Sequence, residues 1–178
     1  RTLEDIFEVQ DEVSEAIAAR VAPAIAGEEQ SRIKRNRPDN LSAWEEYLQG
    51  LRCYYERQRT DYEDFGLKEA KLHLEAAIAS DDSLADAHAY LAYCGITEMG
   101  QRLTKDRDKT MSSILDHARK AESLDAENAM ALCTLSAYYL FNDDLINSRD
   151  YALRAVRSNP SFAMGHARLG LALVSLDD

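Results

Sequence analysis

The sequence predicts an all-α protein built from antiparallel helix pairs, and three observations carry that prediction. Turn-forming residues are scarce: 7 Gly and 3 Pro in 178 residues are too few for a β sandwich or a doubly wound sheet. Ala, Leu and Glu, all strong helix formers, dominate the composition. Residues 77–88, 121–132 and 155–166 align without gaps. Each stretch reads as the end of one helix, a short turn of Asp, Asn, Pro or Ser, and the start of the next.

The elements follow in order. Ile6, Val9, Val13, Ile17 and Val21 recur at helical spacing, which predicts an amphipathic helix over residues 4–22. Pro23 follows, and residues 24–36 read as helix again through Ile25, Ala26 and Ile33. Residues 1–37 are therefore a helical segment with two readings. One is a degenerate repeat with Pro23 in the first turn of its second helix. The other is one kinked helix. Helix pairs are expected over about 38–82, 83–126 and 127–160, and residues 161–176 form a first helix with no second helix after it.

Large and small residues alternate as such pairs require. Two antiparallel helices approach closely only where one presents small side chains and the other a large one. The large positions are Trp44, His88, Leu132 and His166. Three residues after the last three come Leu91-Ala92, Leu135-Ser136 and Leu169-Gly170. The small positions of the second helices are Ala70 and Ala77, then Ala118 and Ala121, then Ser148, Ala152 and Ala155. Pro38 and Pro160 each lie six residues before a large position.

This pattern resembles the tetratricopeptide repeat (TPR): a 34-residue spacing from Ala121 to Ala155, a bulky residue, Leu-Gly three later, and small residues before a Pro turn. The resemblance implies a right-handed α-α superhelix of stacked pairs. Two repeats depart from it, because Trp44 to Ala70 and His88 to Ile114 each span 26 residues where the family has 16. The extra ten residues are read as lengthened helices with loops at 60–64 and 100–108. The family's first helices line a concave groove for a protein or peptide ligand. By position that groove would present Glu45, Gln49 and Arg52, then Ala89, Tyr93 and Ile96, then Met130, Cys133, Ala137 and Phe141. TPR clamps for C-terminal carboxylates use Lys, Arg and Asn there. Glu45, Gln49 and Tyr90 stand here instead, so that activity is not expected.

A second resemblance concerns the opening. Residues 5–13, with Ala16-Ile17-Ala18, and residues 37–50 are similar to stretches of bacterial signalling proteins that join a TolB-like domain to a C-terminal TPR array. Many of these carry an adenylate or guanylate cyclase domain, and others a CadC-type winged helix. The resemblance implies a non-catalytic regulatory module of a nucleotide cyclase. The alternative is the effector-binding region of a winged-helix regulator. The partner is then a peptide or the parent's own catalytic domain, in the cytoplasm, or in the periplasm if a membrane span precedes.

Charge and motif content exclude other classes. With 21 Lys and Arg against 32 Asp and Glu, the net charge of −11 repels phosphate backbones, so no nucleic acid is expected. No stretch reaches the roughly 18 apolar residues of a membrane span. Arg1–Asp5 is acidic and lacks a signal peptide's apolar core. Because it opens on Arg1 rather than Met, the chain is expected to be a fragment. Its uncapped last helix is expected to continue in the parent or to dimerise.

No catalytic, metal or cofactor residue is assigned. Cys53, Cys94 and Cys133 are too widely spaced for a zinc site or a disulfide framework. His73, His88, His117 and His166 lack convergent partners in the sequence. Asp81-Asp82 and Asp143-Asp144 read as helix caps. Arg32, Lys34, Arg35 and Arg37 form a basic cluster that either compensates a helix C-terminus or docks on an acidic partner.

Overall fold

The computed structural model describes residues 40–56 and 63–177. The expectations for residues 1–37 and Pro38 lie outside them. The described residues belong to one compact unit, Asn40–Asp178. They form seven helices and no strand: α1 (Leu41–Glu56), α2 (Glu63–Ser80), α3 (Ala85–Gly100), α4 (Arg107–Leu124), α5 (Ala129–Phe141), α6 (Leu145–Ser158) and α7 (Ala163–Asp177). Each helix packs on its sequence neighbour, and α1, α3, α5 and α7 also pack in series. The result is an all-α stack of helix pairs, the packing of an α-α superhelix.

The first helices begin at residues 41, 85, 129 and 163, so the repeat runs 44, 44 and 34 residues. The structure accounts for the longer unit. Relative to α5 and α6, α3 is three residues longer and α4 four longer, and residues 101–106 make a loop three residues longer than residues 142–144. The loop expected at 100–108 is thus the shorter segment 101–106. Of the loop expected at 60–64, residues 63 and 64 belong to α2, which begins at Glu63, and residues 60–62 lie outside the described residues.

The turns between pairs share one chemistry. Asp81, Asp125 and Asn159 each follow a second helix, and each side chain accepts a bond from the backbone N–H two residues on: Ser83, Glu127 and Ser161. Their own N–H groups donate to Ala77, Ala121 and Ala155 at 2.8–3.0 Å. These three alanines are fully buried. One short polar residue therefore satisfies donors on both sides of the bend, as Asp and Asn in turns do. The next helix is then capped locally. Asn128 accepts from Ala131 N–H at 2.9 Å, and Asp106 and Asp144 cap α4 and α6 in the same way. Asp81 is a turn residue rather than the expected cap, since α3 starts from Leu84 without a side-chain cap.

Turns within the pairs differ. Helices α3 and α5 end in left-handed residues, Arg102 and Asp143, both at φ 57°. The following N–H groups reach back five residues, Leu103 to Glu98 and Asp144 to Tyr139, at 2.9 and 3.0 Å. That motif satisfies the last carbonyls but usually employs Gly.

The interior follows the small-against-large rule. Ala70, Ala77, Ala118, Ala121, Ser148, Ala152 and Ala155 are all buried. Against them pack Leu67, Leu74, Leu91, Ile114, Leu132 and Leu135, none more than 7 % exposed. Burying each Leu or Ile contributes about 1.5–3 kcal/mol relative to leaving it in water. Helices α1 and α2 approach closely at Gly50, where a Cβ would fall 2.8 Å from Leu74 Cγ and 3.2 Å from the Ala70 carbonyl. Helix α7 is the last helix among the described residues, and Leu171, Leu173, Val174 and Leu176 are exposed along it.

Candidate functional site

The candidate site is the face that α1, α3, α5 and α7 share. Tyr55 is exposed, and its hydroxyl sits 3.1 Å from that of Tyr90. The rings of Tyr54, Tyr90 and Tyr93 follow edge-on or tilted, with centroids 5.8–6.3 Å apart. Thr97 donates back to the Tyr93 carbonyl at 3.1 Å, so Tyr54 donates to Thr97 Oγ1 at 3.2 Å. At the far side the Arg168 guanidinium stands 5.9 Å from the centre of the Tyr93 ring. Arg168 lies on α7 and Tyr93 on α3, with α5 between them. The long Arg168 side chain reaches over α5 to make this cation–π contact, so it joins the second and last of these helices along one face.

Burial sorts the residues expected along this face. Glu45, Gln49 and Arg52 are exposed, and Arg52 Nε donates to Glu56 at 2.9 Å on the same helix. Tyr93 and Phe141 are half-buried. Ala89, Ile96, Met130, Cys133 and Ala137 are buried against neighbouring helices, so they form the floor beneath the face rather than its surface. Together with Glu45, Gln49 and Arg52, the aromatic–cation strip Tyr55, Tyr90, Tyr93 and Arg168 supplies the accessible part. Tyr55 and Arg168 were not among the expected lining residues. Tyr55 lies one turn beyond the expected Arg52 and Arg168 lies on the last first helix, and periodicity alone selects neither.

The four large positions have unlike surroundings. Trp44 is half-buried against Tyr47, His88 and Leu132 are buried, and His166 is exposed on the last helix. Leu169 is half-buried, and Gly170 and Pro160 are exposed. A shared bond survives the difference. The Nε2 atoms of His88 and His166 lie 3.2 and 2.9 Å from the carbonyls of Asp82 and Pro160, each six residues back. Both carbonyls belong to the inter-pair turn, so the imidazole ties a first helix to the turn before it.

His88 has a second partner. Its Nδ1 lies 3.0 Å from Nδ1 of His117 on α4. With both rings neutral and Nε2–H donating to the Asp82 carbonyl, Nδ1 of His88 accepts and His117 donates. Burial holds both imidazoles below their ordinary range, and the neighbouring Lys120 adds to this at His88. Lys120 pairs with the Asp82 carboxylate, which holds that acid below its usual value.

The interfaces between successive pairs are built differently. Between α4 and α6, Tyr139 stacks on Tyr151 with ring centres 5.4 Å apart and planes at 11°. Arg119 donates to the hydroxyls of both rings and to Glu122. Arg154 covers Tyr151 at 4.8 Å and pairs with Glu122 at 2.8 Å. Between α2 and α4 there is instead a cleft of about 300 Å³ over Leu91, Gly95 and Ile114. A Cβ on Gly95 would come within 2.5 Å of Ile114 Cγ1.

Covalent chemistry finds little support. Burial pushes the Cys133 thiol up to about 12, and burial followed by Glu69 and Glu56 raises Cys53. Burial also raises the phenols of Tyr47 and Tyr90, with Asp86 adding to the first and Tyr55 to the second. These groups keep their protons at neutral pH, so none is an activated nucleophile. Among the described residues no group of three or more His, Cys, Asp or Glu is placed to hold a metal, and no helix is long and apolar enough to cross a membrane. No protein-family model matches the chain, and no curated protein matches it.

Proposed function

We propose that this chain is a non-catalytic TPR module that binds a peptide or protein segment along the inner face of its first helices. The observation that carries the reading is the accessible strip of Tyr55, Tyr90, Tyr93 and Arg168 drawn together from three helices. Tyr and Arg are the side chains that most often dominate binding energy at protein interfaces. A rigid, ring-lined, partly cationic strip suits an extended segment carrying carboxylates and aromatic or aliphatic anchors. Recurrent turns at Asp81, Asp125 and Asn159 support the repeat assignment.

The parent protein is proposed to be a bacterial nucleotide cyclase, with this module regulating its catalytic domain by docking. Support comes from the similarity of residues 5–13 and 37–50 to TolB-like/TPR signalling proteins. The test is a titration of the parent's purified catalytic domain with this chain. Binding together with a changed cyclase rate is expected. Tyr55→Ala with Arg168→Ala should weaken it by about 100-fold, the scale of two truncated anchors. Neither binding nor a rate change would refute the docking role.

A further inference from the structure

The cleft between α2, α3 and α4 lies apart from the inner-face strip, and its origin is visible by comparison with the next interface. Helices α2 and α4 start 44 residues apart, as do α3 and α5. Gly95 therefore corresponds to Tyr139, and Glu75 to Arg119. Helices α4 and α6 end 34 residues apart, so Ile114 corresponds to Ser148. In the later pair the Tyr139 ring stacks on Tyr151, and Arg119 of the preceding second helix donates to both ring hydroxyls. In the earlier one Ile114 packs against bare Gly95, no ring enters, and about 300 Å³ remains open. That is the lower end of the volume range of small-molecule sites.

The lining has a definite chemistry. Leu91, Gly95 and Ile114 make an apolar floor. Lys71 closes one side, donating to both carboxylate oxygens of Glu98 at 2.9 and 3.0 Å, so those two charges cancel. Glu75 on α2 and Lys109 and Ser113 on α4 remain. Among the described residues neither Glu75 nor Lys109 has an ion-pair partner, and the Ser113 hydroxyl has no hydrogen-bond partner. One wall thus offers a carboxylate, and the other an ammonium and a hydroxyl. The four charged side chains sum to zero, so a ligand of net charge meets an opposing group wherever it sits. A molecule carrying both signs satisfies both walls.

We propose that this cleft binds a free α-amino acid with an aromatic or branched aliphatic side chain. The ligand's ammonium pairs with Glu75, its carboxylate with Lys109 and Ser113, and its side chain lies on the floor of Leu91, Gly95 and Ile114. Each end alone would be a solvent-screened contact of small energy, so binding depends on engaging both at once over a dry floor.

Calorimetric titration of the whole chain with L-phenylalanine and L-leucine tests this. Phenethylamine, which lacks the carboxylate, and 3-phenylpropionate, which lacks the ammonium, are the comparison ligands. A saturable Kd below about 1 mM is expected for at least one amino acid, with each truncated analogue at least about tenfold weaker, the loss of one charged hydrogen bond. Glu75→Gln and Lys109→Met, both surface changes, should weaken the amino acid by a similar factor while leaving the circular dichroism unchanged. Gly95→Tyr combined with Ile114→Ser copies the later interface and should abolish binding. No binding of either amino acid at about ten times that concentration overturns the proposal. So does equal affinity for the analogues, or binding that survives Glu75→Gln and Lys109→Met.

Discussion

Two successive helix pairs, α3 with α4 and α5 with α6, solve one packing problem with opposite residue choices. The later one carries Tyr139 stacked on Tyr151, with Arg119, Glu122 and Arg154 satisfying the ring hydroxyls and one another. The earlier one carries Gly95 against Ile114, with a buried imidazole pair and an open cleft beside it. Small-against-large complementarity therefore sets the stacking, while the identity of the pair sets whether the surface above it is filled or available. Repeats in such an array can be equal as scaffold and unequal as function.

The largest test of that contrast is Tyr139→Gly. It removes a stacked ring and an acceptor of Arg119, and a loss of about 3 kcal/mol in urea-unfolding stability is expected. A loss under about 1 kcal/mol would mean the later interface is not held by its ring. Next comes Gly95→Ala, whose Cβ collides with Ile114 Cγ1. A cost of about 1–3 kcal/mol is expected from overpacking, and Ile114→Ala in the same chain should recover part of it. Strictly additive costs would show that the helices separate instead.

Acid sensitivity sharpens the contrast further. His88 and His117 correspond to Leu132 and Tyr151, so only the earlier interface titrates near neutrality. Burial keeps both imidazoles below the ordinary value of 6.5. The unfolded chain then takes up protons first as the pH falls through that value. Stability is complete above it and declines from there toward the lower folded values. A falling Tm below about pH 6.5 is expected, and His88→Leu with His117→Tyr should flatten that segment. The Asp82 carboxylate, held low by Lys120, acts only at more acidic pH, where it too lowers stability as it protonates. The smallest effect concerns the two left-handed turns. Asp143→Gly and Arg102→Gly should each raise stability by about 0.5 kcal/mol, because glycine adopts φ 57° without a Cβ clash.

Much of the scaffold was legible in the sequence, for a physical reason. Alanines 77, 121 and 155 must be small wherever helices touch, and their turns must bend, so both signals recur at a fixed spacing. The site was less legible. Position in a repeat indicates which helix a residue belongs to, not how far it is sunk, so Ala89, Met130 and Cys133 fall beneath the face they were expected to line. The His88–His117 contact joins residues 29 apart through a pairing that no local pattern encodes. The Gly95 cleft is an absence of side chain, and it becomes visible only beside the Tyr139 that fills its counterpart.

Arg168 over Tyr93 gives the array a latch. The last first-helix is fastened to the second across a distance that ordinary neighbour packing does not span. A visitor that brings its own cation to that ring must unfasten Arg168, whereas one that brings a carboxylate can grip the guanidinium in place. Selectivity for acidic over basic visitors would then arise from that fastening as well as from charge.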